Sequence, residues 1–321
     1  MNLSLNIEGM ANKPQPIGPG TVLSGGKLKI LSRLGVGGFG EVFLAQTESG
    51  LKAVKVVETS DWGQEEYQVF NAMFMSEASF LRTLSHPGIP KSDGFFAEGS
   101  RYFLMMEWLK GPTLEQYVEE EGPLFLDEFL GLVDSLTQVL GYLHTQCEGV
   151  IVFGDLKPAN IVRRESGSYS LCDLGLTSFE GSKMSRKIAV FSPNFSAPER
   201  ARGGASHISN DIYSLGATVY FALTGREPEK TLHVREQERL VRLALERQSE
   251  DWGRLALHQI GNLIILLLAC LDPDPNGRPP SVRTLREAWQ RTHAARDSEL
   301  QEASGQSTHS IMKHLYEGKK F

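Results

Sequence analysis

Phe153-Gly154-Asp155-Leu156-Lys157-Pro158-Ala159-Asn160 sets a carboxylate, an ammonium and a carboxamide within six positions. Short strands are predicted around 150–153 and 161–163, so the octet reads as a loop between them. On such a loop Asp155 can accept a proton from a hydroxyl. Lys157 can neutralise a phosphoryl group in transfer, and Asn160 can offer an oxygen to a divalent cation. Phosphoryl transfer asks for this set because its barrier is mostly positioning and charge. Asp173-Leu174-Gly175 follows and adds a second hard oxygen ligand. Taken singly, either stretch could also be an Asp-containing turn.

Toward the N-terminus, Gly35-Val36-Gly37-Gly38-Phe39-Gly40-Glu41-Val42 lies between two strand-like segments. Glycines let backbone N–H groups approach phosphate oxygens without a Cβ in the way. The same spacing serves dinucleotide folds, where it opens a helix; here a strand follows, which disfavours that reading. A plain Gly-rich hairpin remains an alternative for the motif in isolation. Ala53-Val54-Lys55 lies on the next strand, where a lysine flanked by apolar residues needs a partner. Polyphosphate is one, and Glu77 on the helix that follows is another. That helix is predicted over 64–84, with Phe70, Met73, Phe74, Leu81 and Leu84 recurring at three and four, and His86-Pro87-Gly88 stops it. Residues 95–96 and 102–109 read as two further strands joined at Glu98-Gly99-Ser100.

After Gly111 helical periodicity takes over. Helices are predicted over 126–144, 210–223, 232–247, 257–271 and 282–293, with short strands at 150–153, 161–163 and 169–172. The expected fold is therefore α+β and two-lobed: a small β-rich lobe with one long helix, then a larger, mainly helical lobe. The expected boundaries are a flexible lead-in over 1–24, a domain over 25–293 divided near 109/110, and a polar tail over 294–321. A ligand would be expected between the lobes.

The 321 residues carry a net charge of −6, which argues against a general nucleic-acid-binding surface. Cys147, Cys172 and Cys270 lie far apart with no CxxC spacing, as fits a reducing compartment. The polar start has no apolar signal region, and the longest purely apolar run, 263–271, is far short of a membrane span. The expectation is a cytoplasmic chain without a membrane span. Its oligomeric state has no signature in the sequence.

In order and spacing these motifs resemble the eukaryotic-like serine/threonine protein kinases, over about residues 28–293, and bacterial members of that family in particular. The resemblance implies transfer of the ATP γ-phosphate to protein Ser/Thr hydroxyls. Asp155 is then the catalytic base, assisted by Lys157, Lys55 and Glu77. The nucleotide is held by Gly35, Val36, Gly37, Gly40, Val42, Ala53, Lys55, Met106, Glu107, Leu109 and Val162. Asn160 and Asp173 are the ligands of Mg2+ or Mn2+. Ser196-Ala197-Pro198-Glu199 resembles the end of the activation segment, Asp211 the anchor of the catalytic loop, and Arg278 the partner of Glu199. Two departures touch charge. Gly154 stands where an arginine commonly precedes the catalytic Asp and binds a phosphate on the activation loop, and Phe153 stands where that family has His. Leu174 replaces a Phe, Phe191 a Gly and Ser192 a Thr, the last keeping its hydroxyl. The loop hydroxyls Thr177, Ser178, Ser182 and Ser185 lie close to Lys183, Arg186 and Lys187, and an active chain without loop phosphorylation is the expectation. The rival readings are a pseudokinase that binds nucleotide as an interaction module, disfavoured by the retained charged groups, and a small-molecule phosphotransferase, disfavoured by Ala197-Pro198-Glu199 and Arg278.

Overall fold

A computed structural model describes residues 15–37, 40–60, 81–145, 149–173, 178–181, 192–229, 234–248 and 257–294, with shorter pieces at 63–64, 67–68, 71, 74, 252 and 255. They fall into two compact units. One holds the described residues up to Leu84 with Lys91–Trp108, and the other holds Ser85–Pro90 with those from Leu109 onward. No helix among the described residues is long and apolar enough to cross a membrane.

The first unit is built on one antiparallel sheet. Its strands are β1 (Val22–Leu23), β2 (Leu28–Gly37), β3 (Gly40–Thr47), β4 (Gly50–Glu58), β5 (Ser92–Glu98) and β6 (Arg101–Glu107), in the order β1-β2-β3-β4-β6-β5. Side chains alternate between the faces, so one face gathers Leu28, Ile30, Phe43, Val54, Val56 and Phe103 into a buried cluster. The opposite face carries Val42, Lys55 and Leu104 in one register row and Leu44, Ala53 and Met106 in the next. Gln64, Tyr67, Gln68, Asn71, Phe74 and Leu81 are helical. The Phe74 ring packs edge-on against Phe95 and Tyr102, with centroids 5.9 and 5.2 Å away. By register Phe95 and Tyr102 share the face of Lys55, so the helix covers the lysine's side of the sheet. Burying the Phe74 ring contributes about 2 kcal/mol to that docking.

The second unit is mainly helical. Its helices are α1 (Leu114–Glu121), α2 (Leu126–Thr145), α3 (Pro198–Ala201), α4 (Ile208–Thr224), α5 (Val234–Arg247), α6 (Leu257–Cys270) and α7 (Val282–Ala294). Between α2 and α3 the short strands β7 (Ile151–Val152), β8 (Ile161–Arg163), β9 (Tyr169–Leu171) and β10 (Ser178–Phe179) form two antiparallel pairs, β7 with β10 and β8 with β9. Helix α4 is buried on every side from Ser209 to Leu223, the signature of a central core helix. α2 packs against it, and Phe129 of α2 sits 5.2 Å from the Trp252 ring and 5.3 Å from Trp289. The two-lobed α+β plan expected from the sequence is the plan observed. Helix α1 was not foreseen. Its start is a capping box in which Thr113 Oγ1 accepts from Gln116 N and Gln116 Oε1 accepts from Thr113 N.

Candidate active site

Strand β7 runs directly into the loop Phe153–Asn160, and α4 fixes the loop's entry. The Asp211 carboxylate is fully buried. It accepts from Phe153 N (2.8 Å) on Oδ2 and from Gly154 N (2.9 Å) on Oδ1, and Oδ2 also meets His144 Nε2 at 2.9 Å. A carboxylate can only accept, so His144 presents Nε2–H. Gly154 has φ +82°, where a Cβ is costly. The glycine in place of a basic residue thus has a local reason. The Phe153 ring is buried and fills by packing the position where the family commonly has His, and His144 reaches Asp211 from the last turn of α2.

Asp155 projects from this anchored loop. Its Oδ2 accepts from Lys157 Nζ and from Asn160 Nδ2, both at 2.9 Å, while Ser192 Oγ reaches Oδ1 at 3.4 Å. Asn160 Nδ2 also donates to the Asp155 carbonyl at 2.9 Å, which ties the loop to itself. Burial pushes the Asp155 carboxyl above its ordinary value. The hydrogen bond and charge of Lys157 and the hydrogen bond from Asn160 oppose the rise without cancelling it, and the negative charge of Asp173 adds to it.

The same contacts bear on a divalent cation. Because Asn160 directs its amide N–H groups at Asp155, its carbonyl oxygen faces away from that carboxylate. Asp173 is near enough for its charge to be felt at Asp155. Two hard oxygens suit Mg2+, which binds through one or two protein ligands and completes its shell with water and phosphate. No cluster of three or more His, Cys, Asp or Glu fit to hold a metal ion occurs among the described residues.

In the first unit Lys55 is buried on β4. The residues expected to hold nucleotide there, Val42, Ala53 and Met106, share its face. Gly35 and Gly37 pair with Val42 and Gly40 at the β2–β3 turn. Gly40 has φ +137°, and a Cβ there would lie 2.1 Å from Val56 O, so this glycine is needed by the sheet itself. Val36 is exposed. Glu107 N donates to Lys91 O at 2.8 Å. In the second unit Leu109 is buried, and Val162 is buried on β8, bridged to Thr113. Glu77, Leu174 and Phe191 lie outside the described residues, as do Thr177, Ser182, Lys183, Ser185, Arg186 and Lys187.

Glu199 and Arg278 meet as the resemblance implied, through Nη1–Oε1 (2.7 Å) and Nη2–Oε2 (2.9 Å). Burial works against the Glu199 charge, but the bonds from Arg278 and from Asn210 Nδ2 outweigh it and hold the carboxyl below its usual range. This pair, like Asp211, holds the unit together.

The protein kinase domain family matches residues 28–290, most of the chain. The chain belongs to that family. Among similar proteins, the kinase domain is 30% identical over 210 residues to serine/threonine-protein kinase PrkC of Bacillus subtilis, covering 63% of this chain and 31% of that protein. It is 29% identical over 281 residues to serine/threonine-protein kinase PknA of a Nostoc species, covering 82% and 47%. It is also 29% identical over 219 residues to receptor-like kinase LIP2 of Arabidopsis thaliana, covering 65% and 38%. The kinase domain thus spans less than half the length of each of these relatives, and they come from bacteria and a plant alike. ATP with Mg2+ and protein substrates are typical of the family, and the residues present are consistent with serine/threonine kinase activity.

His144 was missed by sequence reasoning. It ends an amphipathic helix and its partner Asp211 is 67 positions away, so no local pattern announces the pair.

Proposed function

We propose that this chain is an active serine/threonine protein kinase of the bacterial type, carrying the ATP γ-phosphate to protein hydroxyls. The observation that carries the reading is the Asp155 carboxylate, hydrogen-bonded to Lys157 and Asn160 on one oxygen and less closely engaged on the other. Oδ1 is the oxygen we assign to the acceptor proton: the serine or threonine oxygen attacks the γ-phosphorus, the bond to the bridging oxygen breaks, and the proton passes to Asp155. Lys157 neutralises charge on the transferring group. Lys55, paired with Glu77, holds the phosphates, and the Gly35–Gly40 turn with Val36 covers them. Val42, Ala53, Met106, Leu109 and Val162 supply apolar contacts for the base. With the Glu107 N–H committed to Lys91 O, that residue would meet adenine through its carbonyl. Asn160 and Asp173 would hold Mg2+ or Mn2+, which when bound supplies positive charge to the phosphates.

The ATP requirement and the dispersed cysteines support work in the cytoplasm. An ADP-release assay with and without a protein acceptor tests the reading. ADP release that depends on the acceptor is expected; nucleotide binding without turnover would make the chain a pseudokinase.

A further inference from the structure

The start of the activation segment is stitched to the catalytic loop by contacts that involve no phosphate. Ser178 and Phe179 pair with Val152 and Ile151 of β7, the strand that leads into Phe153–Asp155. On its other side Ser178 Oγ lies 2.7 Å from Ser206 Oγ, and Arg200 Nη1 donates to Ser206 Oγ at 3.0 Å and to Gly204 O at 3.3 Å. Ser206 and Arg200 are both buried. The backbone adds Gly181 N to Ser206 O at 2.7 Å and Glu180 N to Val150 O at 2.9 Å. Glu180 Oε1 accepts from Ile208 N and faces His207 Nε2, each at 3.3 Å. His207 caps α4, the helix that presents Asp211 to Phe153 and Gly154. The contacts therefore close a ring: β7, β10, Ser206 with Glu180, the first turn of α4, Asp211, and back to the loop that bears Asp155.

Gly154 removes the arginine through which a loop phosphate would order this region. A buried guanidinium directed at a hydroxyl gives a charge-assisted hydrogen bond, stronger than a neutral one and shielded from salt. We propose that Arg200, Ser206 and Ser178 are positioning residues that hold the first part of the activation segment in the catalytically competent arrangement without phosphorylation, in place of the missing arginine–phosphate contact. The proposal rests on the kinase reading for its catalytic consequence and on geometry alone for the strap itself. It separates Ser178 from the other loop hydroxyls, since its oxygen is already engaged inside the fold.

The test compares the parent chain with Ser206→Ala, Ser206→Thr and the triple Thr177→Ala/Ser182→Ala/Ser185→Ala, using two readouts. Amide hydrogen exchange at Gly181, Phe153 and Gly154 should rise about tenfold or more in Ser206→Ala and return toward the parent in Ser206→Thr. The kcat for transfer to a generic protein acceptor should fall about tenfold in Ser206→Ala with KM for ATP little changed, recover in Ser206→Thr, and stay within about threefold of the parent in the triple variant. Unchanged exchange in a folded Ser206→Ala overturns the strap whatever the parent's activity. A triple variant that loses about a hundredfold overturns the claim that phosphorylation is dispensable. Faster exchange in Ser206→Ala alongside a parent that transfers no phosphate would uphold the strap and overturn the kinase reading instead.

Discussion

Lys55 stands mid-strand in β4 and owes its place to backbone ladders with β3 and β6, in which Val42 and Leu104 are its register partners. Asp155 stands on a loop and is held by side chains: Lys157 and Asn160 on its carboxylate, and Asp211 with His144 on the backbone just before it. A ladder does not depend on which side chain it carries. A loop held by side chains loses its shape when one of them changes. Substituting Lys55 should therefore remove a charge and leave the sheet alone, whereas substitutions around Asp155 should move the residue they do not touch.

The largest effect is expected at Asp155. Asp155→Asn keeps the size and the bond from Lys157 but removes the proposed base, and transfer should fall about a thousandfold with the thermal unfolding midpoint nearly unchanged. Because Asp155 is raised above its ordinary value, a kcat/KM profile should lose activity on acidification through a limb lying above 3.8, as the carboxylate gains its proton. That limb should be absent from the residual activity of the Asn variant. Lys55→Met should come next, lowering transfer about a hundredfold without unfolding the sheet. A double-mutant cycle with Glu77→Gln should be strongly non-additive; additive losses would mean that the two side chains do not meet.

Asp211→Asn breaks the comparison from the other side, since it alters no group proposed to touch substrate. A carboxamide offers one acceptor oxygen where the carboxylate offers two, so at least one of the Phe153 and Gly154 amides would face an NH2 group. Transfer should drop about tenfold and stability by about 2 kcal/mol, read by kinetics and by denaturant unfolding. Loss of stability with kcat unchanged would mean that the loop does not need its anchor for chemistry.

The same contrast explains how much of the molecule was legible in the sequence. The helices over Leu126–Thr145 and Val282–Ala294 follow from periodicity because the repeating burial of one face writes itself into the sequence, whereas strand β4 and the helix over Ile208–Thr224 show as apolar runs because consecutive residues, Ala53–Val57 and Ser209–Leu223, are buried. Lys55 stood out because a charge breaks such a run. Helix α1 went unseen although Thr113 and Gln116 spell its capping box, because a short helix with only Leu114 and Val118 buried leaves little periodic signal. The loop's own residues were visible as a cluster, but its support was not. His144 and Asp211 are 67 positions apart, and Ser178 and Ser206 are 28 apart. Hydrogen bonds between distant side chains leave no spacing rule behind, and Gly154 read as a missing arginine before its backbone showed what the glycine permits.

Transfer of label from radiolabelled ATP and Mg2+ to a generic protein acceptor, followed by phosphoamino-acid analysis, tests the central claim most directly. The account predicts phosphoserine and phosphothreonine from the parent chain, without prior phosphorylation of the activation segment. A parent chain that binds ATP and Mg2+ but labels no hydroxyl, or one whose label appears on tyrosine alone, would contradict it.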